Sequence, residues 1–246
     1  MTHIDPTVLK RAAAIRALDF VENGMKLGLG TGSTAEAFLD VLAPRIRGGL
    51  SVTAVATSER TADKARALAI PLADLDALAP LDLVVDGADE ADRDLNLIKG
   101  GGGALLREKI VAASSGRMVV VVDASKLSPE LGRFPLPVEV VAFGHVTTAA
   151  RIAASIERLG YAGVALSLRV NEGAPYRTDT GNLIYDAALG AIGDVAKLAN
   201  ALSIIPGVVE HGLFVGLAHT LVVAHADRVE VIERSVCGQP SPSVGV

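Results

Sequence analysis

One cysteine, Cys237, occurs in 246 residues, so no internal disulfide can form and a cytoplasmic setting is expected. No run approaches the roughly 20 apolar residues that cross a bilayer. The opening stretch, MTHIDPTVLKRAAAIRAL, lacks a basic start followed by an apolar segment, so neither a membrane span nor a secretory signal is expected. Positive charge is in deficit: 23 basic against 28 acidic residues leave a net charge of −5, which gives no reason to expect nucleic acid or an anionic membrane as a partner. Any anion must be caught locally. The five histidines, His3, His145, His211, His219 and His225, show no ligand spacing such as H-x-x-x-H, so they are expected at the surface or in packing, and no metal is expected. Cys237 lies in a tail rich in Ser, Pro and Gly, residues 235–246, which reads as disordered and without chemistry.

Half of the chain is apolar, enough for a substantial core in one or two domains. Residues 9–18 read as a helix, followed by strands at 26–29, 50–55, 81–86 and 118–122 alternating with helices at 33–42, 59–68 and 104–113. That alternation implies a parallel sheet covered on both faces. The pattern changes at Phe134-Pro-Leu-Pro137. Beyond it come strands at 138–141, 164–170 and 183–186 and helices at 146–159 and 195–202, a compact α+β unit with an antiparallel sheet that closes near Ile205-Pro206-Gly207. The β-like segments 212–215, 220–224 and 229–232 are expected to rejoin the first sheet. The expected division is a first domain of residues 1–132 plus 205–234, with the small α+β domain at 133–204.

The stretch from Asp86 to Lys109, DGADEADRDLNLIKGGGGALLREK, holds the densest chemistry. Asp86, Asp89 and Glu90 follow an apolar strand and emerge at its carboxyl end, the edge where open parallel sheets bind ligands. Lys99 precedes glycines 100 to 103, and Glu108 falls in the second turn of the helix that follows. Four consecutive glycines are costly in backbone entropy and imply close approach to a ligand. Earlier, Gly28-Leu-Gly30-Thr31-Gly32-Ser33-Thr34 joins the first strand to its helix, where a phosphate fits and Ser33 or Thr34 would cap the helix. No Gly-Lys pair completes a P-loop there, and Ser33 stands in place of the third glycine of G-x-G-x-x-G, so nucleotide binding is disfavoured. Thr57-Ser58, after the second strand, is a second candidate contact. A solvated acidic loop, an exposed Glu108 and a ligand-free turn are the plain alternatives.

These blocks together make the chain resemble ribose-5-phosphate isomerases of type A: GLGTGSTA from Gly28, TSERT from Thr57, DGADE from Asp86, IKGGGGALLREK from Ile98, VDASK from Val122, FPLPVEV from Phe134 and IPGVVEHGLF from Ile205. The resemblance implies a Rossmann-like, mostly parallel sheet domain with an inserted smaller α+β (ferredoxin-like) domain, assembled as a homodimer or homotetramer. It also implies interconversion of ribose 5-phosphate and ribulose 5-phosphate in the non-oxidative pentose phosphate pathway, with no cofactor and a small-molecule sugar phosphate as the partner. Carried onto this sequence, the base is Glu108, the catalytic aspartates are Asp86 and Asp89, and the active-site lysine is Lys99. The substrate site comprises Thr31, Gly32, Ser33, Thr34, Gly87, Ala88, Gly100, Gly101, Gly102, Lys10 and Lys126. Which aspartate opens the sugar ring is left open. Two other classes share such scaffolds: sugar-phosphate-sensing regulatory domains, and enzymes such as coenzyme A transferases or amino-sugar-phosphate deaminases. A regulator needs a DNA-binding appendage, and only about 25 residues precede the first strand.

Overall fold

The computed structural model describes residues 5–234; His3 and the 235–246 tail with Cys237 lie outside the described residues. Asp5 caps α1 (Pro6–Ala17) by accepting from the Thr7 amide at 2.9 Å, and Pro6 opens the helix where a missing amide costs nothing. In chain order follow β1 (Lys26–Leu29), α2 (Ser33–Arg47), β2 (Thr53–Ala56), α3 (Glu59–Ala67), the short α4 (Leu75–Leu78) and β3 (Leu81–Gly87). The two-residue strands β4 (Glu90–Ala91) and β5 (Leu97–Ile98) precede α5 (Leu105–Ala113) and β6 (Ser115–Asp123). The later half holds β7 (Leu136–Val140), α6 (His145–Arg158), β8 (Ala165–Leu168), β9 (Val170–Asn171), β10 (Ala174–Pro175), β11 (Leu183–Ala188) and α7 (Val195–Ser203). It ends with β12 (Val208–His211), β13 (Leu213–Phe214), β14 (Thr220–Ala224) and β15 (Val229–Glu233). Helix α2 runs past the expected stop at Leu42, with Pro44 inside it, because Phe38, Leu39, Leu42 and Ala43 bury one face in the core and packing outweighs the lost backbone bond.

The large sheet has the order β15-β14-β6-β3-β1-β2. Its neighbours run parallel except for β15, which is antiparallel to β14. Alternation along β6 explains its two covers: Val119 and Val121 join the core under α1 and α2, while Met118, Val120 and Val122 join the core under α5. From β1 the chain steps through α2 to β2 on one side, and from β3 it steps through α5 to β6 on the other. The order therefore reverses between β1 and β3, and α2 and α5 lie on opposite faces. A crevice at the carboxyl ends of these two strands is the expected ligand position in such a sheet.

The small sheet has the order β12-β7-β11-β8, wholly antiparallel, with α6 and α7 making a β-α-β-β-α-β sequence of elements. It has its own core around Leu136, Val138, Ile152, Ile156 and Leu202, and it runs on to His211, beyond the turn at 205–207. One expectation needs correction. Residues 213–214 do not rejoin the large sheet; β13 pairs with β5, which pairs with β4, in a separate three-stranded sheet. The fully buried Phe214 and the Leu97–Ile98 pair satisfy each other there, so the short apolar segment is spent before the chain reaches β14.

Candidate active site

Lys99 is the centre of a buried ionic cluster. Its Nζ lies 2.9 Å from Asp86 Oδ2 and 3.4 Å from Glu108 Oε1, and it donates to the Gly87 carbonyl at 2.6 Å. The three side chains are between 1 and 5 % exposed, a burial that charged groups tolerate only when paired. Local structure brings them together. Asp86 is the penultimate residue of β3, Lys99 follows β5 with its amide on the Gly212 carbonyl at 2.8 Å, and Glu108 lies in the first turn of α5. The helix starts at Leu105, so Glu108 sits one turn earlier than expected and faces inward. Its neighbours point elsewhere: Arg107 pairs with Glu59 at 2.8 Å and Lys109 with Glu210 at 2.6 Å.

Two carboxylates compete for one ammonium, and their titration reflects it. Burial, opposed by Lys99 and reinforced by Asp86, pushes Glu108 up to about 8. Asp86 is also raised by burial, against the pull of Lys99 and of the Gly87 and Thr31 amides. For Lys99, burial favours the neutral form, yet the facing Asp86 and Glu108 outweigh it and hold the ammonium charged. Glu108 Oε2 is buried and has no hydrogen-bond partner among the described residues. A buried acceptor without a donor is uncommon and calls for a partner such as an ordered water, a proton or a ligand.

The cluster forms one wall of a cleft of about 180 Å³ at the switch point between β1 and β3. Lys10, Thr31, Gly32, Ser33, Thr34, Gly87, Ala88, Asp89, Lys99, Gly100, Gly102, Glu108 and Lys126 all line it, so the sequence-derived candidates converge. Two of the site residues that the resemblance implies do not reach the cleft wall. Asp86 is fully buried behind it, its Oδ1 accepting from the amides of Thr31 at 3.1 Å and Gly87 at 2.7 Å. Gly101 instead donates its amide to Asp89 Oδ2 at 2.7 Å, and a Cβ there would lie 2.6 Å from the same carboxylate, so only glycine allows this approach.

Other expectations change. The N-cap of α2 is Gly32, with no side-chain cap bond; Ser33 is the first helical residue, and its hydroxyl accepts from Lys10 Nζ at 2.9 Å. The first turn of α2 thereby lies at the cleft without a side-chain cap on its amides. Thr57 and Ser58 do not line the cleft. They are buried, and their hydroxyls meet Thr31 Oγ1 at 2.8 and 2.9 Å, while Ser58 also caps α3 through the Thr61 amide at 3.1 Å. Thr31 is thus held by this hydroxyl group cluster and by Asp86. Glu90 points away from the cleft and accepts from the amides of Gly132 and Phe134 at 2.8 and 3.2 Å, tying the DGADE turn to the chain entering β7.

Pro6 and Asp123 line the cleft without having been singled out. Asp123 had a legible signal, since it ends β6 just as Asp86 lies at the end of β3, and it caps the following turn through the Ser125 amide at 2.9 Å. Lys126, in that turn, makes no hydrogen bond or ion pair among the described residues.

The chain is similar to known proteins over most of its length. The family model of ribose 5-phosphate isomerase A (phosphoriboisomerase A) matches residues 53–228. A ribose-5-phosphate isomerase A of Nitrobacter hamburgensis is 55% identical over 226 residues, 92% of this chain and 97% of that protein. Among solved structures, a D-ribose-5-phosphate isomerase in complex with phospho-erythronic acid superposes with a TM-score of 0.86 at 38% identity, covering 94% of this chain and 100% of that one. A ribose 5-phosphate isomerase from Plasmodium falciparum superposes with a TM-score of 0.88 at 34% identity, covering 94% and 100%.

Proposed function

The chain belongs to the ribose 5-phosphate isomerase A family, whose enzymes interconvert ribose 5-phosphate and ribulose 5-phosphate, and from that premise we propose how its cleft divides the work. Glu108 is the base. It takes the proton from carbon 2 of the open-chain aldose and returns it to carbon 1 by way of an enediolate. The observation that carries this is that Glu108 lines the cleft with its carboxyl raised to about 8 and its buried Oε2 without a hydrogen-bond partner among the described residues. A base poised near neutrality both accepts and releases a proton, and contributes typically 10²- to 10⁴-fold.

Lys99 supports the oxygen charge that forms during transfer, as a fixed donor that need not reorganise. Asp86 holds Lys99 in place from behind. Asp89 is the better candidate for opening the sugar ring, because it lines the cleft with one oxygen held by Gly101. The phosphate rests on the first turn of α2, with Ser33 and Thr34, between Lys10 and Lys126. A phosphorylated four-carbon sugar acid would mimic the enediolate here, its carboxylate standing for the charged oxygens.

We further propose a homodimer or homotetramer working in the cytoplasm. Phe143, Val146 and Ile204, exposed at 95, 68 and 81 %, support burial against another copy, and sedimentation would reveal a lone protomer if this were wrong. The decisive assay incubates the protein with ribose 5-phosphate and a chelator in heavy water, and follows ketose formation and deuterium uptake. Glu108→Gln should lose at least about 10²-fold in turnover while still binding sugar phosphate; a variant that kept more than roughly a tenth of the rate would remove Glu108 from the role of base.

A further inference from the structure

The glycine loop is gripped a second time, from the small sheet. Arg169, between β8 and β9, donates from Nη1 to the carbonyls of Gly100 at 2.8 Å and Gly101 at 3.2 Å. Its Nε and Nη2 bind the two carboxylate oxygens of Asp186 on β11, Nε at 2.9 Å. The guanidinium is therefore fixed in its plane, a two-sided grip that a lysine cannot reproduce. Tyr176 completes it, with its ring 6.0 Å from the guanidinium and its hydroxyl donating to the Gly102 carbonyl at 3.4 Å. A Cβ on Gly103 would lie 2.2 Å from that hydroxyl.

The geometry of a planar trans peptide gives this grip a consequence in the cleft. The carbonyl and the N–H of one peptide unit point in opposite directions. In the unit joining Gly100 to Gly101, Arg169 holds the oxygen while the N–H donates to Asp89 at 2.7 Å. In the next unit, Arg169 holds the Gly101 oxygen, and the Gly102 N–H is turned the other way, where Gly102 lines the cleft.

We propose that Arg169 is a positioning residue for the isomerisation: through the Gly100 and Gly101 carbonyls it sets the amide that orients Asp89 and turns the Gly102 amide toward the reacting oxygens. This rests on the reading of the cleft as the isomerase site. Arg169 touches no substrate. Its effect is confined to the sugar end, because the phosphate end is built on α2, Lys10 and Lys126.

The test compares wild type with Arg169→Met on ribose 5-phosphate, together with inhibition by phospho-erythronic acid and by inorganic phosphate. A small misplacement of catalytic groups costs up to about 10²-fold. The variant should lose roughly 10- to 100-fold in kcat with KM within about threefold, and bind phospho-erythronic acid more weakly by a similar factor. Inorganic phosphate should inhibit both proteins alike. The proposal is overturned by a kcat within about threefold of wild type, by unchanged phospho-erythronic acid binding, or by an equal loss of phosphate binding. Should Arg169→Met not fold, Arg169→Lys, which keeps the charge without the fork, is held to the same criteria. A wild-type protein that fails to isomerise ribose 5-phosphate refutes the reading of the cleft itself, whereas an active wild type with an equally active Arg169→Met refutes only this inference.

Discussion

Replacing Glu108 by glutamine removes a titration while keeping the side chain's shape, and the result should be visible in stability as well as in turnover. In the folded protein the carboxyl is raised from 4.5 to about 8, chiefly by burial. A group raised on folding contributes stability that is fully present below its unfolded value, near 4.5, and is lost as pH rises through about 8. Between pH 6 and pH 9 that loss amounts to roughly 2 to 3 kcal/mol. The wild type should therefore weaken by this amount more than Glu108→Gln over the same interval. Urea unfolding at the two pH values measures it, with every other titrating group common to both proteins. In thermal unfolding the difference corresponds to about 4 to 12 °C for a chain of this size. If the two proteins changed in parallel to within about 0.5 kcal/mol, Glu108 would titrate at an ordinary value and the argument from its burial would fail.

Activity should follow the same group: kcat/KM for ribose 5-phosphate should climb with pH and level off near pH 8, since this ratio reports the free enzyme's base, and a limb that bends below pH 6 would contradict it. Lys99→Met leaves Asp86 buried without its cation and should cost about 3 to 5 kcal/mol in urea unfolding; a loss under about 1 kcal/mol would mean that the pair is not desolvated. Lys126→Ala should raise KM about tenfold and leave kcat within about threefold, because a phosphate contact is made alike in the ground and transition states. A fall in kcat at unchanged KM would place Lys126 at the reacting end instead.

Much of the fold was legible because its signals are local. The valine run of β6 and the alternation of strand and helix through α5 need only neighbouring residues to be read, and the turn that carries DGADE is positioned by the strand before it. The cleft was legible for the same reason, as both loops sit at strand ends. What was not legible depends on direction or on distant chain. Asp86 and Asp89 are three residues apart, yet one lies behind the cleft wall and the other on it, a difference set by the amides of Thr31 and Gly101. Thr57 and Ser58 look like ligand groups in sequence, but β1 and β2 are neighbours, which delivers their hydroxyls to Thr31. Arg169 and Tyr176 carry no motif at all; their significance arises only when the small sheet folds against the glycine loop.

The ionic cluster joins these observations in one physical argument. A single ammonium buried with two carboxylates can fully compensate only one of them, and the shorter contact, 2.9 Å against 3.4 Å, gives that place to Asp86. Asp86 also receives two amides, while Glu108 Oε2 receives none. These contacts favour Glu108 over Asp86 as the carrier of a proton that the two raised carboxyls share, and on a group raised to about 8 the cost of moving it near neutral pH is small in either direction. That balance is what a shuttle between two adjacent carbons requires, since a stronger base would keep the proton and a weaker one would not take it. Removing Asp86's claim on Lys99 would let the ammonium settle on Glu108 and lower its affinity for the proton, so Asp86→Asn should shift the acid limb of kcat/KM to lower pH as turnover falls. An unshifted limb in that variant would show that the two carboxylates do not share the lysine.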